Sequence, residues 1–224
     1  MPFAARIIGW ILLVTGAVGA AAAFVLTVEK IHLLRDPGYV PSCSINPILS
    51  CGSVMSTPQA EVLGFPNPVI GVLTFPVLAT LGLVVLTGAR LPRRVWLGAN
   101  LGAAAGVLFA HWLIFQSLYR IHALCPYCMV VWVVTITAFW YLTVHNLHHR
   151  HLPAPASWRP AVDAVVRNHS VVLTVWLLAV VAAIGVQFWD YWRTLASSGA
   201  PRSHPGTASR RPGRPGRGCR AACP

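Results

Sequence analysis

Charged residues are scarce in this sequence of 224 residues. Asp, Glu, Lys and Arg together make up 10% of the chain, against about 25% in ordinary globular domains, and 56% of the residues are hydrophobic. A water-soluble fold of this composition would expose large apolar patches, which soluble monomers avoid. The scarcity of charge therefore excludes an ordinary soluble domain and predicts a polytopic membrane protein.

Two further features that the sequence lacks exclude particular classes of function. The long apolar segments contain no Asp, Glu, Lys or Arg, the residues that mark ion and substrate pathways in transporters. The net charge of +12 is concentrated towards the C-terminus, where the last 32 positions hold seven of the 17 basic residues, and no nucleic-acid-binding signature accompanies it. We therefore expect neither a transporter nor a nucleic-acid-binding protein.

Five apolar segments are long enough to cross a bilayer core of roughly 30 Å as helices. They cover approximately residues 7–28, 68–86, 95–118, 124–144 and 171–189. The first is longer than the apolar core of about 7–15 residues in a secretory signal peptide, so we interpret it as a membrane anchor. The sequence predicts an all-α integral membrane domain over residues 1–192 with an outer loop over 29–67, followed by a disordered Arg/Gly/Pro-rich tail over 193–224.

The distribution of Lys and Arg over the short loops predicts the orientation in the membrane. With the N-terminus in the cytoplasm, the inner segments hold seven basic residues and the outer segments before the tail hold three. The arginines of the tail would then lie outside, against the general tendency of Lys and Arg to lie on the cytoplasmic side. We expect a multi-pass protein of the cell membrane with a cytoplasmic N-terminus and an extracytoplasmic outer loop.

Four of the six cysteines are predicted to lie on one side of the membrane. Cys43 and Cys51 belong to the outer loop, and Cys125 and Cys128 lie at the outer end of the fourth span. Four cysteines allow three pairings, of which the local one, 43–51 with 125–128, closes two small rings. Two inert disulfides or a zinc site remain alternatives, although the spacing of Cys43 and Cys51 fits a zinc site poorly.

The Cys-Pro-Tyr-Cys segment at residues 125–128 favours redox chemistry over a structural role. A disulfide between cysteines three positions apart closes too small a loop to stabilise a fold appreciably. Cys125 also lies at the N-terminal end of a helix, where unpaired N–H groups and the helix dipole favour a thiolate. Two redox pairs on one side indicate a relay by thiol–disulfide exchange between a soluble partner and a lipid-soluble two-electron acceptor, such as a quinone.

The cysteines and a few neighbouring residues match the pattern of a known family. The pattern consists of Cys43-x₇-Cys51, Ser and Thr shortly after Cys51, Phe-Pro-Asn-Pro-Val-Ile-Gly at 65–71, and Cys-Pro-Tyr-Cys at 125–128. Over about residues 6–190 the chain resembles the vitamin K epoxide reductase family, and most closely its bacterial stand-alone members. The resemblance implies a four-helix transmembrane bundle around a quinone, with a fifth transmembrane helix, menaquinone or ubiquinone as electron acceptor, and no metal.

The resemblance also implies a role for each matching residue. Cys43 would exchange with the redox partner, and Cys51 would pass electrons to Cys125 through a transient 51–125 disulfide. Cys128 would react with the quinone, and Asn67 would hydrogen-bond one of its carbonyl groups. The further residues implied are the quinone contacts Met55, Phe65 and Trp132 and the loop supports Ser56 and Thr57.

The chain departs from the family at two points. Vertebrate members carry a tyrosine where this sequence has Trp132, which keeps an aromatic wall but offers an N–H in place of an O–H. Bacterial relatives often carry a fused thioredoxin-like domain after the fifth span, whereas about 35 low-complexity residues follow Asp190 here. We therefore expect a separate extracytoplasmic thioredoxin-fold partner.

The sequence thus predicts a quinone-dependent membrane thiol oxidoreductase that generates disulfides by reoxidising that partner. The alternatives are a vitamin K epoxide or quinone reductase with the same chemistry, and a zinc-binding membrane scaffold or sensor. For His111 and for the four histidines between residues 145 and 151, helix packing and a solvated inner loop are the favoured interpretations. Cys219 and Cys223 are assigned no role.

Overall fold

The computed structural model describes residues 3–36, 38–152 and 155–198, and most of these are helical. The helices are α1 (Phe3–Arg35), α2 (Cys51–Met55), α3 (Pro68–Leu86), α4 (Arg93–Gln116), α5 (Pro126–His148), α6 (Arg159–Arg167), α7 (His169–Gln187) and α8 (Trp189–Ser198). A π-helical turn, Ser117–Ile121, continues α4, and short 3₁₀ turns cover Pro58–Glu61 and Ala156–Trp158. Within the described ranges no strand forms, and the predicted all-α class is confirmed.

Five of these helices, α1, α3, α4, α5 and α7, are long and apolar enough to cross a membrane. The predicted second span coincides with α3, and two helices extend beyond the spans predicted for them. Helix α1 continues to Arg35, so the first seven residues of the predicted outer loop, 29–35, are helical. Helix α5 continues to His148, so the predicted histidine-rich inner loop begins as the last turn of a helix.

Helices α1 and α3 pack closely because glycines lie where their backbones meet. A Cβ added to Gly82 of α3 would lie 2.4 Å from the backbone N of Leu13, and one added to Gly16 of α1 would lie 2.4 Å from the backbone N of Ala79. Small residues at helix interfaces allow this kind of approach in membranes, where dispersion and close packing drive helix association. Helix α1 also packs against α5, which packs against α4, so these four helices form one bundle.

Helix α7 lies at the edge of this bundle and is held by two indole N–H groups. Trp176 of α7 donates to Nε2 of His111 in α4 at 3.0 Å, and Trp140 of α5 donates to the carbonyl oxygen of His169 at 2.8 Å. Nδ1 of His111 lies 2.9 Å from the carbonyl oxygen of Val107. Both ring nitrogens of His111 are thereby engaged, one within α4 and one in packing against α7, which agrees with the helix-packing interpretation.

Helix α8 belongs to a second unit that begins at Phe188. Trp189 and Trp192 on this helix are largely exposed, and the rings of Tyr191 and Trp192 pack edge to face with centroids 5.5 Å apart. The helix continues over residues 193–198, where the sequence predicts the start of the tail. The rest of the predicted tail, with Cys219 and Cys223, lies outside the described residues.

Candidate active site

Cys51 is the first residue of the short helix α2. Ser50 caps this helix, because its hydroxyl oxygen accepts a hydrogen bond from the backbone N–H of Ser53. Cys51 is fully buried and forms a disulfide with Cys43 across a Cα–Cα distance of 5.6 Å. The structure thus contains the first disulfide of the local pairing, whereas Cys125 and Cys128 are free thiols.

A single parallel β-bridge holds the cysteine loop (residues 36–67) against the residues that precede α5. The N–H of Ser50 donates to the carbonyl oxygen of Leu124 at 2.9 Å, and the N–H of Leu124 donates to that of Ile48 at 2.7 Å. Because each side of this bridge is followed by a cysteine, Sγ of Cys51 lies 3.2 Å from Sγ of Cys125. A thiol in contact with one sulfur of a disulfide is the arrangement from which thiol–disulfide exchange starts.

Cys125 is placed to react as a thiolate. It is the N-cap residue of α5, and its Sγ accepts a hydrogen bond of 3.4 Å from the backbone N–H of Cys128. The hydrogen bond from the Cys128 side chain, with those from backbone N–H groups, lowers the pKa of the Cys125 thiol despite its burial. Pro126 occupies the first turn, where its missing N–H costs nothing.

The same sulfurs form a compact cluster. In the described part of the chain, Cys43, Cys51 and Cys125 are the one group of His, Cys, Asp or Glu whose ligand atoms all lie within 4.8 Å of one another. Two of the three are joined in a disulfide, so one thiol remains, whereas a structural zinc site takes four ligands. In this oxidation state the cluster is arranged for exchange between sulfurs.

Cys128 lies at the wall of a large cavity within the helix bundle. The cavity has a volume of about 710 Å³ and is lined mainly by apolar side chains of α1, α3, α4 and α5. Cys128 is partly exposed, whereas Cys125, at the N-terminal end of the same helix, is fully buried. One thiol of the pair therefore faces the loop disulfide, and the other faces the cavity.

Most of the predicted quinone contacts also reach this cavity. The predicted contacts Met55, Asn67 and Trp132 line it, and so does Thr57, which was predicted as a loop support. Trp132 is 3% exposed and lies one helical turn after Cys128, so its ring forms part of the wall. The fourth predicted contact, Phe65, and the predicted loop support Ser56 are not among the residues that line it. Phe65 is 40% exposed, and the hydroxyl of Ser56 donates back to the carbonyl oxygen of Gly52 at 2.8 Å.

The side chain of Asn67 holds the chain segment that covers one end of the cavity. Its Nδ2 donates to the carbonyl oxygen of Gln59 at 2.7 Å, and its Oδ1 accepts from the N–H of Val62 at 3.2 Å. A primary amide carries two N–H groups, so one donor of Asn67 remains after these contacts. Asn67 thus combines a structural role with one unused donor.

The sequence interpretation missed Lys30, which it assigned to the outer loop. The side chain of Lys30 lines the cavity but is only 7% exposed, and its Nζ donates to the carbonyl oxygen of Met55 at 2.6 Å. The same ammonium lies 2.8 Å from a carboxylate oxygen of Glu61. Lys30 therefore fixes the C-terminal end of the helix that begins with Cys51.

The preceding residue, Glu29, was missed for the same reason. Its carboxylate accepts hydrogen bonds from the hydroxyl and the N–H of Ser42 and from the phenol of Tyr39, the last at 2.8 Å. Donation to this carboxylate raises the pKa of Tyr39. Because Ser42 directly precedes Cys43, Glu29 holds the Cys43 side of the disulfide while Lys30 holds the Cys51 side. The sequence signal that could have revealed Glu29 and Lys30 is a pair of opposite charges at the end of an apolar helix.

A disulfide in contact with a thiol, followed by a second thiol at an apolar cavity between membrane-spanning helices, defines a membrane redox protein. The sequence profile described as the Vitamin K epoxide reductase family matches residues 10–143, more than half of the chain. The chain belongs to this family. Members are oxidoreductases that use quinones, and the matched residues include all four cysteines discussed above. No curated protein matches the chain.

Proposed function

We propose that this protein is a quinone-linked thiol oxidoreductase that generates disulfides in a separate thioredoxin-fold partner. The observation that carries the proposal is the 3.2 Å contact between the Sγ atoms of Cys51 and Cys125, next to a cavity that Cys128 lines. One exchange step between Cys51 and Cys125 therefore connects the loop disulfide to the thiol pair at the start of α5. The proposal assigns the outer end of the relay to Cys43 and the inner end to Cys128.

Electrons enter at the Cys43–Cys51 disulfide. A thiolate of the reduced partner attacks Sγ of Cys43, forms a mixed disulfide with it and releases Cys51 as a thiolate. The second thiolate of the partner then breaks the mixed disulfide, so that the partner leaves oxidised and Cys43 is reduced. Because Cys43 is 5% exposed, the segment before it must move outwards for this step.

Cys51 carries the electrons inwards. Its thiolate attacks Sγ of Cys125 in a Cys125–Cys128 disulfide, which forms a 51–125 disulfide and releases Cys128 as a thiolate. Cys43 then attacks Cys51, which restores the loop disulfide and frees Cys125. The products are one disulfide in the loop and two thiols at the start of α5, the oxidation state of the structure.

Cys125 and Cys128 complete the cycle when they close to a disulfide and lose two electrons and two protons. A quinone, of the menaquinone or ubiquinone class, accepts both when it is bound. The cavity suits such a molecule, because its volume lies within the range of about 300–1,000 Å³ of small-molecule sites and its wall is apolar apart from a few groups. Cys128 would face the ring, Asn67 would offer its remaining N–H, and Met55 and Trp132 would supply apolar wall.

The proposed orientation places the N-terminus in the cytoplasm and the cysteine loop outside the cell membrane. It is supported by the excess of seven Lys and Arg residues in the inner segments over three in the outer segments before the tail. Disulfide chemistry also requires an oxidising compartment, which the outer side of a bacterial membrane provides. The partner is then a soluble thiol oxidase of that compartment.

Thiol trapping tests the proposal directly. Alkylation-shift gels on wild type, Cys51→Ala and Cys128→Ser, each with and without added quinone, report the state of every thiol. We expect quinone to oxidise the Cys125–Cys128 pair in wild type but not in Cys128→Ser, and Cys51→Ala to accumulate a mixed disulfide between Cys43 and the partner.

Two other outcomes would favour the alternatives. If a vitamin K epoxide is consumed with the same cysteine dependence and no oxidised partner accumulates, the reduced quinone is the physiological product. If all four cysteines stay reduced in air with quinone present and one zinc ion is retained per chain, the protein is a zinc-binding scaffold or sensor.

A further inference from the structure

A cluster of histidines lies at the end of α5 opposite to the cysteines. Helix α5 has 23 residues, so this end is about 34 Å along the helix from Cys125. Three of the rings gather there. The ring centroids of His145 and His149 are 4.3 Å apart, those of His149 and His151 are 5.8 Å apart, and those of His145 and His151 are 6.1 Å apart. The redox steps derived above use none of them.

The chain reverses at the end of α5 in a way that brings the third ring back to the first two. His145 and His149 are one helical turn apart and share a face of the helix. Arg150 then adopts a left-handed conformation with φ of 55°, which is uncommon for a residue other than glycine. The N–H of His151 consequently donates to the carbonyl oxygen of Asn146 at 2.8 Å, which closes the turn.

Neighbouring helix α4 holds this turn in place. The guanidinium of Arg93 donates twice to the carbonyl oxygen of His151, at 2.6 and 3.0 Å. The ring of His145 stacks on Trp96 with centroids 3.9 Å apart. Helix α4 therefore supports His145 and the turn at His151, while His148 and His149 are exposed, as a solvated segment would have them.

The buried side chain of Asn146 determines which nitrogen of His151 is free. Its Nδ2 donates to the carbonyl oxygen of Trp96 at 3.2 Å, so its Oδ1 is the atom that lies 3.0 Å from Nδ1 of His151. That Nδ1 must carry the proton, which leaves a lone pair on Nε2. Histidines that bind metals usually donate their second ring N–H in this manner, which fixes the tautomer and orients the ring.

We propose that His145, His149 and His151 form a site for a divalent transition-metal ion of the zinc class. Three imidazoles bound tetrahedrally to one ion at about 2.0–2.1 Å have ring centroids about 5 Å apart, which the three observed separations bracket. The rings of His145 and His149 form no hydrogen bond within the described residues, so their nitrogens are available. Water or His148, whose ring centroid lies 5.2 Å from that of His149, completes the coordination.

The ligand atoms and their arrangement define which ions this site takes and how it closes on them. The side chains that offer ligand atoms are imidazoles, with no carboxylate among the contacts described above, so hard ions such as Mg²⁺ or Ca²⁺ are disfavoured. The ring nitrogens do not yet converge, since only the cysteine cluster brings its ligand atoms within 4.8 Å. Rotation about the broad χ2 torsions of His145 and His149 brings their nitrogens towards Nε2 of His151, which Asn146 holds in place, when the metal enters.

Binding of Co²⁺ and Zn²⁺ to the full chain in detergent, purified without a histidine tag and with its cysteines oxidised, tests the site. We expect one Co²⁺ per chain with the visible absorption of tetrahedral coordination by nitrogen, displaced by Zn²⁺. His149→Ala and His151→Ala should each raise the dissociation constant more than 10-fold. His32→Ala, which removes an exposed histidine from the last turn of α1, should leave the dissociation constant unchanged.

The ring of His149 is exposed, so His149→Ala is expected to fold normally, and thermal unfolding of the apoprotein provides the check. Unchanged affinity in both His149→Ala and His151→Ala would refute the site. Thiolate-to-cobalt charge-transfer absorption would likewise refute it, because the metal would then be held by cysteines. Failure of the redox proposal would leave this measurement unaffected.

Discussion

The ammonium of Lys30 donates a hydrogen bond of 2.6 Å to the carbonyl oxygen of Met55, the last residue of the helix that begins with Cys51. The position of Cys51 relative to Cys125 therefore depends on a charged group at the end of the first membrane-spanning helix. A hydrogen bond to a charged group contributes about 1.5–3 kcal/mol to stability.

Replacing Lys30 by Met should slow exchange between Cys51 and Cys125. In a Cys43→Ala background, where a 51–125 disulfide can accumulate, we expect Lys30→Met to form this disulfide roughly 10-fold more slowly under mild oxidation, since α2 loses the anchor of its C-terminal end. Lys30→Arg should retain most of the rate. Arg35→Met, which removes an exposed cation from the same helix, is the matched control, and an equal loss in this variant would contradict the explanation.

Replacing Glu29 by Gln should expose Cys43. The amide has one acceptor oxygen where the carboxylate has two, so Ser42 and Tyr39 cannot both be held as they are in the structure. We expect the Cys43–Cys51 disulfide to be reduced by glutathione several-fold faster than in wild type, measured by alkylation at timed intervals. Asp36→Asn, at an exposed position outside this network, should leave the rate unchanged. Equal rates for Glu29→Gln and wild type would show that Glu29 does not restrain Cys43.

The reactivity of Cys125 should persist to lower pH than that of an ordinary cysteine. Its pKa is lowered chiefly by the hydrogen bond from Cys128, so the thiolate remains populated until the pH falls below this lowered value. In reduced Cys51→Ala protein, we expect the alkylation rate of Cys125, followed by peptide mass spectrometry, to be half-maximal below the usual pH of about 8.5. Adding Cys128→Ala removes the donor and should move the profile to higher pH. Identical profiles would contradict the assigned cause.

Replacing Gly82 by Ala should destabilise the bundle. The new Cβ would lie 2.4 Å from the backbone of Leu13, which cannot move as a side chain can, so α1 and α3 would have to separate. Overpacking of this kind typically costs about 1–3 kcal/mol. Thermal unfolding in detergent should show a lower midpoint for Gly82→Ala than for wild type. The midpoint of Gly98→Ala should be unchanged, because a Cβ at Gly98 meets nothing within 4 Å. A similar shift in both variants would point to a general effect of losing glycine.

The sequence was informative about the parts of the site that depend on residue type and spacing. Runs of about 20 apolar residues predicted the five spans, because a helix of this length crosses the bilayer core and satisfies its backbone hydrogen bonds within the segment. The spacing of Cys125 and Cys128 before such a run indicated redox chemistry, and the structure places one thiol at the loop disulfide and the other at the cavity. Asn67 and Trp132 reach the same cavity, as the resemblance implies.

The sequence was misleading where a charge is satisfied by distant residues. Glu29 and Lys30 suggested the end of the first span, but their partners Ser42, Tyr39 and Glu61 lie later in the chain and allow the helix to continue to Arg35. Phe65, assigned to the quinone site by the resemblance, is 40% exposed and does not line the cavity, so its contact with the quinone stays a prediction.

The amino-acid sequence alone determined the class of protein, the number of helices long and apolar enough to cross a membrane, and the four cysteines to which we assign the relay, because these follow from composition and local spacing. The resemblance implied exchange between Cys51 and Cys125, but only the tertiary structure shows the contact through which it would occur. The contact between Cys51 and Cys125 joins residues 74 positions apart and depends on one β-bridge, one capped helix and the buried charges of Glu29 and Lys30. Local patterns carry no information about such a contact, since it results from how separate helices pack together.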